Sequence, residues 1–397
     1  MISQRMYELG SKKSTIRELF EYGKVRAAEV GSENIYDFSI GNPSVPAPDC
    51  VREALVDILN SDAANIHGYT SAQGDIETRK AIADDLNARF NTHYSADNLF
   101  MTCGAAASLT ITFNALCESE TDEFIAIAPY FPEYKVFVEG SGAVFKSVPA
   151  QKGSFQIDID ALSQAIGENT KGVIINSPNN PTGAVYTEDN IAALARLLRE
   201  KSAELGRHIF LICDEPYREI VYGGARAVNA AAMYADTIIC YSYSKSLSLP
   251  GERIGYVLIP DEVCDSKRVY AAAAGAARSL GFVCAPSLLQ KMLVRCAGAT
   301  SDIEEYRKNR DLLYGGLTDA GYECVPPDGA FYLFVKAPDG DDRMFSEIAK
   351  KYDILIVPGS DFGGAGYVRI SYCVDNDMIR RSLPVFKKMM DEQYRAK

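Results

Sequence analysis

The 397-residue sequence contains no tryptophan and only three histidines, which are His67, His93 and His208. A Ser-His-Asp or Cys-His mechanism, or a histidine-rich metal site, would have to be built from these three residues alone. His208 opens an apolar stretch, and the other two lie in polar stretches. We therefore expect no metal site, and the scarcity of suitable side chains favours chemistry carried out by a bound organic cofactor.

Paired cysteines are also missing, although the chain contains ten cysteines. No two of them form a C-x-x-C pair, so the sequence indicates neither a zinc site nor a thioredoxin-type redox motif. Residues such as Cys50, Cys103, Cys213 and Cys373 lie far apart in the sequence. We interpret most of the cysteines as small core residues in a reducing compartment.

Positive charge is in deficit, since 41 Lys and Arg face 53 Asp and Glu, which gives a net charge of −12. Without a basic stripe, we expect no nucleic acid among the partners. No apolar run approaches the length of a membrane span, and the opening "MISQRMYELGSKKS" has no apolar core of a secretory signal. The expectation is a cytoplasmic protein with no membrane partner.

Short apolar runs alternate with helical patterns through the middle of the chain. In one helical pattern, Thr187 is suited to the N-cap, Ile191 and Leu194 share the apolar face, and Gly206 is a stop signal. The predicted elements are strands at 98–103, 123–128, 172–177, 209–215 and 237–244 and helices at 105–117 and 187–206. Continuous apolar strands separated by helices predict an α/β fold with a mostly parallel sheet covered on both faces.

Polar side chains stand where these predicted strands end. Asn176 ends one strand, Asp214 ends the next with Tyr217 shortly after it, and Lys245 follows a third. Ligands of open α/β sheets bind outside the carboxyl ends of the strands, so these groups are expected at one rim. Gly104 precedes a predicted helix, whose free N–H groups favour a phosphate. The set predicts a site for an aromatic, phosphorylated, carbonyl-bearing molecule.

The pattern changes from about Tyr322 onward. The stretches "ECVPPDGAFYLFVKA", "DILIVPGSDFG" and "GYVRISYC" are typical of strands in an antiparallel or mixed sheet, and residues 376–397 of a terminal amphipathic helix. We expect residues 47–285 to form a large domain and residues 286–397 to form a smaller α+β domain. The N-terminal segment 1–46 is expected to pack with the smaller domain.

Seven motifs occur in an order that resembles the class I/II (aspartate aminotransferase-like) aminotransferases of the fold-type I pyridoxal-phosphate enzymes, and the resemblance covers nearly the whole chain. They are "GYTSAQGDIETRKAIA" (68–83), "TCGAAASL" (102–109), "PYFPEY" (129–134), "NSPNNPTGAVY" (176–186), "DEPYREIVY" (214–222), "SYSKSLSLPGERIGY" (242–256) and "GYVRISYC" (366–373). The resemblance implies pyridoxal 5′-phosphate as the cofactor and a fold-type I architecture with a smaller α+β domain.

The resemblance assigns the central chemistry to four residues. Lys245 would form the Schiff base with the cofactor and, once released, act as the base at the substrate Cα. Asp214 would pair with the protonated pyridine nitrogen. Tyr217 and Asn180 would hydrogen-bond the phenolic oxygen of the ring. The alternatives are a solvated lysine for Lys245, a solvated turn residue for Asp214 and an ordinary turn residue before proline for Asn180.

The same resemblance implies a phosphate site. Its donors would be Arg253, Ser242, Ser244 and the backbone N–H groups of Gly104, Ala105 and Ala106. A hydroxyl residue often stands in the family where this chain has Ala106. One phosphate contact of the family is therefore expected to be missing or replaced.

Five further residues receive roles from the resemblance. Phe131 would stack on the cofactor ring, and Tyr69 would reach the phosphate from the neighbouring subunit of a homodimer with shared active sites. Arg369 would clamp the substrate α-carboxylate beside a backbone contact from Gly41. Arg278 lies where relatives specific for dicarboxylates place a second arginine. Each of these residues has a simpler alternative role. Phe131 would be a core residue, Tyr69 an ordinary surface residue, Arg369 an arginine that points outward from its strand, and Arg278 a helix-surface residue.

The resemblance implies a transaminase that moves an amino group from an L-amino acid to a 2-oxo acid with ping-pong kinetics, with a dicarboxylic substrate favoured. A pyridoxal-phosphate-dependent C–S β-lyase on the same fold is an alternative, since Lys245, Asp214 and Arg369 would serve both reactions. A second alternative is the cofactor-sensing domain of a transcription regulator. Such regulators carry a basic winged-helix module before this domain, and the sequence shows none.

Overall fold

The computed structural model describes residues 1–11, 14–61 and 66–395. Its α-helices are α1 (Gln4–Ser11), α2 (Thr15–Val30), α3 (Asp49–Asn60), α4 (Ile76–Phe90), α5 (Ala105–Leu116), α6 (Glu133–Gly140), α7 (Ile159–Ala165), α8 (Glu188–Leu205), α9 (Tyr243–Ser246), α10 (Ser266–Ser279), α11 (Ser287–Cys296), α12 (Ile303–Ala320), α13 (Asp342–Lys350) and α14 (Asn376–Met390). Its strands are β1 (Tyr36–Asp37), β2 (Leu99–Thr102), β3 (Glu123–Ala128), β4 (Val144–Pro149), β5 (Thr170–Asn176), β6 (Phe210–Asp214), β7 (Thr237–Ser242), β8 (Gly255–Leu258), β9 (Tyr332–Lys336), β10 (Ile354–Leu355), β11 (Val357–Pro358) and β12 (Tyr367–Ser371).

A seven-stranded sheet with the order β2-β8-β7-β6-β5-β3-β4 forms the centre of the molecule. Strand β8 runs antiparallel to β2 and β7, and the other neighbouring strands are parallel. Alternate residues of one strand enter two different apolar clusters, as Ile239 and Ile238 of β7 do. Since both faces are buried, the strands consist of continuous apolar runs. The predicted α/β class with a mostly parallel sheet is confirmed.

Helix α8 shows how local signals set the limits of an element. The side chain of Thr187 accepts a hydrogen bond from the N–H of Asn190, which satisfies a free donor of the first turn. The helix ends at Gly206, whose φ of 62° is a conformation that glycine adopts at little cost. Ile191 and Leu194 are buried on the inner face, as expected from the sequence. Among helices in the described part of the chain, none has the length and apolar composition to cross a membrane.

The C-terminal part builds a three-stranded antiparallel sheet with the order β11-β12-β9, which places β12 between two partners. The N-terminal segment joins this part of the molecule, because β1 pairs in parallel with β10 and Leu19 of α2 packs against Leu355 and Phe362. The predicted terminal helix is present as α14, which ends at Met390, and the last two residues of the predicted range lie outside the described residues.

The division into domains at residues 285 and 286 stays a prediction. Helix α11 begins just after this position, and its residues Leu289, Met292 and Leu293 belong to the apolar cluster of the large sheet. Helix α12 instead contributes Leu313 and Leu317 to the cluster of the C-terminal sheet. We propose that the boundary lies between α11 and α12, since packing changes from one cluster to the other there.

Candidate active site

A cavity of about 290 Å³ opens at the carboxyl ends of β5, β6 and β7. Most of the residues singled out from the sequence line it: Gly41, Ala105, Ala106, Phe131, Asn180, Asp214, Tyr217, Ser242, Ser244, Lys245, Arg253 and Arg369. Gly104 adjoins these residues as the N-cap of α5. The seven-stranded sheet contributes the strand ends, and the C-terminal sheet contributes Arg369.

Lys245 lies on the short helix α9, which starts directly after β7 ends at Ser242. Its Nζ donates a hydrogen bond to the backbone oxygen of Gly41 at 2.7 Å. The pKa of this amine is lowered to about 8, mainly by burial; Cys373 opposes the shift, and the positive charges of Arg369 and Arg253 add smaller lowering effects. A buried amine with this pKa is available as a nucleophile and base near neutral pH.

Asp214 is the last residue of β6, and its two carboxylate oxygens have different surroundings. The hydroxyl of Tyr134 donates to Oδ2 at 2.5 Å, whereas Oδ1 is buried and has no hydrogen-bond partner among the described residues. Burial raises the pKa of Asp214 to about 7, although the hydrogen bond from Tyr134 acts in the opposite direction. An unpartnered buried carboxylate oxygen indicates a missing donor, since buried polar groups are normally paired.

Arg369 is buried on the central strand β12, at 2% exposure. Its Nη1 donates to Oδ1 of Asn180 at 3.0 Å, and its Nη2 donates to the backbone oxygen of Ser39 at 2.5 Å. Nε has no partner among the described residues. Burial lowers the pKa of this guanidinium, yet the group keeps its charge at neutral pH. Among the described residues no carboxylate pairs with Arg369, and a buried cation of this kind is suited to binding a carboxylate from a ligand.

A candidate anion site lies between α5 and α9. The hydroxyls of Ser242 and Ser244 are 2.7 Å apart, and Nη1 of Arg253 donates to Oγ of Ser244 at 3.1 Å. Gly104 has a φ of 87°, and a Cβ added there would lie 2.6 Å from Nη2 of Arg253. The absence of a side chain at this glycine therefore leaves room for the guanidinium beside the N-terminus of α5, where free N–H groups favour a phosphate.

Aromatic groups complete the walls of the cavity. The hydroxyls of Tyr217 and Tyr332 are 2.9 Å apart. The ring of Phe131 lies edge-to-face with that of Tyr134, with 5.7 Å between the centroids. Phe131 lines the cavity and is also partly packed against an apolar cluster of the large sheet, so its stacking on a cofactor ring stays a prediction.

Two of the predicted site residues lie away from the cavity of their own chain. Tyr69 is 91% exposed. Arg278 is exposed in the last turn of α10. Neither residue lines the cavity. Their expected roles depend on a second subunit and stay predictions.

Several residues of the site were not identified from the sequence. Tyr134 and Tyr332 touch the key side chains through hydroxyls, but tyrosines within apolar stretches are usually packing residues. Ser39 contributes a backbone oxygen, which no side-chain pattern reveals. The amide of Asn176, which was noted only as a strand end, donates to the backbone oxygen of Asp214 at 2.8 Å. Ile16 of α2 also lines the cavity.

These groups fit one kind of cofactor. The unpartnered oxygen of Asp214 suits a protonated ring nitrogen, Lys245 suits an aldehyde, and the hydroxyls with Arg253 suit a phosphate. Pyridoxal phosphate carries all three groups on an aromatic ring, for which Phe131 offers a wall. The fold and this cavity define an α/β enzyme that uses pyridoxal phosphate.

The chain belongs to the family "Aminotransferase class I and II", whose sequence profile matches residues 33–385. Members of this family depend on pyridoxal phosphate, and the protein is a transaminase, an enzyme that transfers amino groups between amino acids and 2-oxo acids. The resemblance seen in the motifs is thereby confirmed.

Individual relatives agree with this assignment. A probable aspartate/prephenate aminotransferase of Aquifex aeolicus is 29% identical over 394 residues, which cover 93% of this chain and 94% of the relative. The crystal structure of an aminotransferase from Eubacterium rectale matches with a TM-score of 0.98 and 59% identity over 99% of both chains. Aspartate aminotransferase of Thermus thermophilus with maleate matches with a TM-score of 0.85 and 27% identity over 98% of this chain and 99% of that one.

The glycine at the anion site gives a direct test of the phosphate assignment. We expect Gly104→Ala to lower the affinity for pyridoxal phosphate about tenfold, because the new Cβ would displace Arg253 and weaken a charged hydrogen bond. Titration of cofactor-free protein with pyridoxal phosphate measures the effect. Gly142→Ala is the matched control, since Gly142 has a φ of 93° and nothing within 4 Å of an added Cβ. Equal losses in both variants would contradict the assignment.

Proposed function

We propose that this transaminase works by a ping-pong mechanism in which the 2-oxo acid product leaves before the second 2-oxo acid binds. The observation that supports the proposal most strongly is the convergence of a half-buried lysine with a desolvated amine, a buried carboxylate and a buried arginine on one cavity. Lys245, Asp214 and Arg369 come from different elements, and each has an unsatisfied or adjustable group there. A single small site suits two substrates that use it in turn.

Lys245 is proposed as the residue that holds the cofactor through Nζ and that moves the proton at the substrate Cα. When bound, pyridoxal phosphate would supply the aldehyde that takes up the amino group and a ring that withdraws electrons from Cα. The lowered pKa of Lys245 leaves roughly a tenth of the amine neutral at pH 7, far more than for an ordinary lysine, and the neutral form is the one that accepts a proton. Within the described residues, no carboxylate is among the groups that shift the pKa of this amine, and burial favours its neutral form.

Four other residues would hold the substrate carboxylate and the cofactor ring in position. Arg369 would bind the α-carboxylate of the amino acid through its guanidinium, in which Nε has no partner among the described residues. Asn180 already contacts that guanidinium and would fix its plane. Asp214 would hold a positive charge at the ring nitrogen through Oδ1. Tyr217 would hydrogen-bond the ring oxygen from the cavity wall.

The phosphate would be held by Arg253, Ser242 and Ser244, together with the N–H groups of Ala105 and Ala106 at the start of α5. Ala106 has no hydroxyl, so its contribution is restricted to the backbone. These contacts would anchor the cofactor while Lys245 is released from it.

The half-reaction tests this proposal. With the wild-type protein and pyridoxal phosphate, we expect one L-amino acid alone to change the visible absorption of the bound cofactor and to yield one equivalent of 2-oxo acid. Addition of a second 2-oxo acid should restore the spectrum. Lys245→Ala should slow the conversion by about a hundredfold to ten-thousandfold, because the proton carrier is lost. Lys336→Ala, which removes an exposed lysine paired with Glu323, is the matched control.

Two outcomes would contradict the proposal. Release of pyruvate and ammonia from a cysteine conjugate, without consumption of a 2-oxo acid, would show the C–S β-lyase instead. Binding of pyridoxal phosphate with no change on addition of any amino acid would favour a sensing role.

We also propose a homodimer in which Tyr69 and Arg278 of each subunit serve the cavity of the other, and a dicarboxylic acid as one substrate. Support comes from their exposure in a single chain and from the maleate in the Thermus thermophilus structure, since maleate is a dicarboxylate. Arg278 would bind the second carboxylate, while Arg369 binds the first. The cytoplasmic location expected from the sequence stays a prediction.

Substitution of Arg278 tests the substrate class. Arg278→Ala should lower kcat/KM for aspartate and glutamate about tenfold or more, because one charged hydrogen bond is lost, and should leave alanine unaffected. The matched control is Arg268→Ala, which removes an exposed arginine of the same helix that pairs with Asp265. Steady-state kinetics with the three amino donors provides the measurement. A loss shared equally by all three donors would contradict a role in binding the second carboxylate.

A further inference from the structure

We propose that Tyr134 is a positioning residue that fixes the carboxylate of Asp214, so that Oδ1 alone is presented to the ring nitrogen of the cofactor. This inference rests on the proposed function and deepens it. The residue lies outside the strand ends that define the rim of the cavity, on the first turn of α6. It would act through Asp214 and touch neither the cofactor nor the substrate.

The geometry separates the two oxygens of Asp214. The Tyr134 hydroxyl donates to Oδ2 at 2.5 Å, in the range of short hydrogen bonds to a charged acceptor. Oδ1 is buried without a partner among the described residues, and Asp214 lines the cavity. One oxygen is thus occupied by the protein, and the other is left for a ligand.

Within the described residues, Tyr134 is the only side chain that donates to this carboxylate. The amide of Asn176 donates to the backbone oxygen of Asp214 and leaves the carboxylate free to rotate about its own bond. The neighbouring Glu215 binds Arg218 and does not contact Asp214 by a hydrogen bond. Removal of the Tyr134 hydroxyl would therefore leave the orientation of the carboxylate without a side-chain restraint.

Tyr134 also connects Asp214 to the aromatic wall. Its ring lies edge-to-face with Phe131 at an interplanar angle of 84°, and Phe131 lines the cavity. The segment 131–134 would thus set both the plane of the cofactor ring and the direction of the contact with its nitrogen. Tyr134 itself is 1% exposed, so its own position is fixed by packing.

The protonation of Asp214 and Tyr134 also supports the positioning role of Tyr134. Burial raises the pKa of Asp214 to about 7, and the hydrogen bond from Tyr134 limits this rise by stabilising the ionised form. Burial and the nearby carboxylate raise the pKa of Tyr134 far above its usual range, so the hydroxyl keeps its proton and remains a donor. The tyrosine therefore favours the charged carboxylate that a protonated ring nitrogen needs.

The test compares two cofactors in two variants. We expect Tyr134→Phe to bind pyridoxal phosphate about tenfold more weakly than the wild type, since a charged hydrogen bond that orients Asp214 is lost. The analogue of pyridoxal phosphate that has carbon in place of the ring nitrogen should bind the wild type and Tyr134→Phe equally, because it has no N–H group to contact Oδ1 of Asp214. Tyr186→Phe is the matched control, as Tyr186 is buried and its hydroxyl makes no hydrogen bond to Asp214.

A second measurement separates positioning from folding. Tyr134→Phe should lower kcat for amino transfer at an unchanged KM for the amino acid, and in the Asp214→Asn background the same substitution should cause no further loss of cofactor affinity. Equal weakening of both cofactors, or an additive loss in the double variant, would overturn the proposal and assign the hydroxyl a structural role. Failure of the wild type to transfer amino groups would instead refute the proposed function.

Discussion

Burial of the Lys245 amine is the constraint on which the rest of the site depends. Removing an ammonium from water is costly, and within the described residues no carboxylate pairs with this one. The amine is held instead by the backbone oxygen of Gly41, which belongs to the N-terminal segment. A lysine in this setting gives up its proton easily, and a neutral amine is what an aldehyde cofactor requires.

The two parts of the molecule contribute different functions to the cavity. The large sheet supplies the groups proposed for the cofactor, because its parallel strands end together at one rim. The C-terminal sheet supplies Arg369, and the N-terminal segment supplies Ser39 and Gly41. The hydrogen bond between Arg369 and Asn180 joins the two sheets. The proposed substrate site therefore exists only where both parts meet.

The sequence was sufficient to predict five of the seven strands of the central sheet, because continuous apolar runs locate them, and it placed polar side chains at the ends of three of these strands. Strands β4 and β8 were not predicted, since β4 is an edge strand with mostly unburied residues and β8 is only four residues long. The alternation of apolar and polar residues along β12 did not show whether the Arg369 side chain points inward or outward, because its neighbours Val368 and Ile370 are buried as well. Strand β12 lies between two partners, and both of its faces are covered. The contact between Tyr134 and Asp214 joins residues 80 positions apart, which no local pattern reports. The contacts expected of Tyr69 and Arg278 involve a second subunit, so the structure of one chain does not test them.

Labelling of Lys245 as a function of pH tests the central claim most directly. In cofactor-free protein, reductive methylation of Lys245, followed by peptide mass spectrometry, should rise with pH and level off above about 8, because the neutral amine is the reactive form. Exposed Lys336, whose pKa is raised by its hydrogen bond to Glu323, should continue to gain reactivity at higher pH. Pyridoxal phosphate should protect Lys245 and leave Lys336 unaffected. A reactivity of Lys245 that follows that of Lys336 and is insensitive to the cofactor would contradict the account.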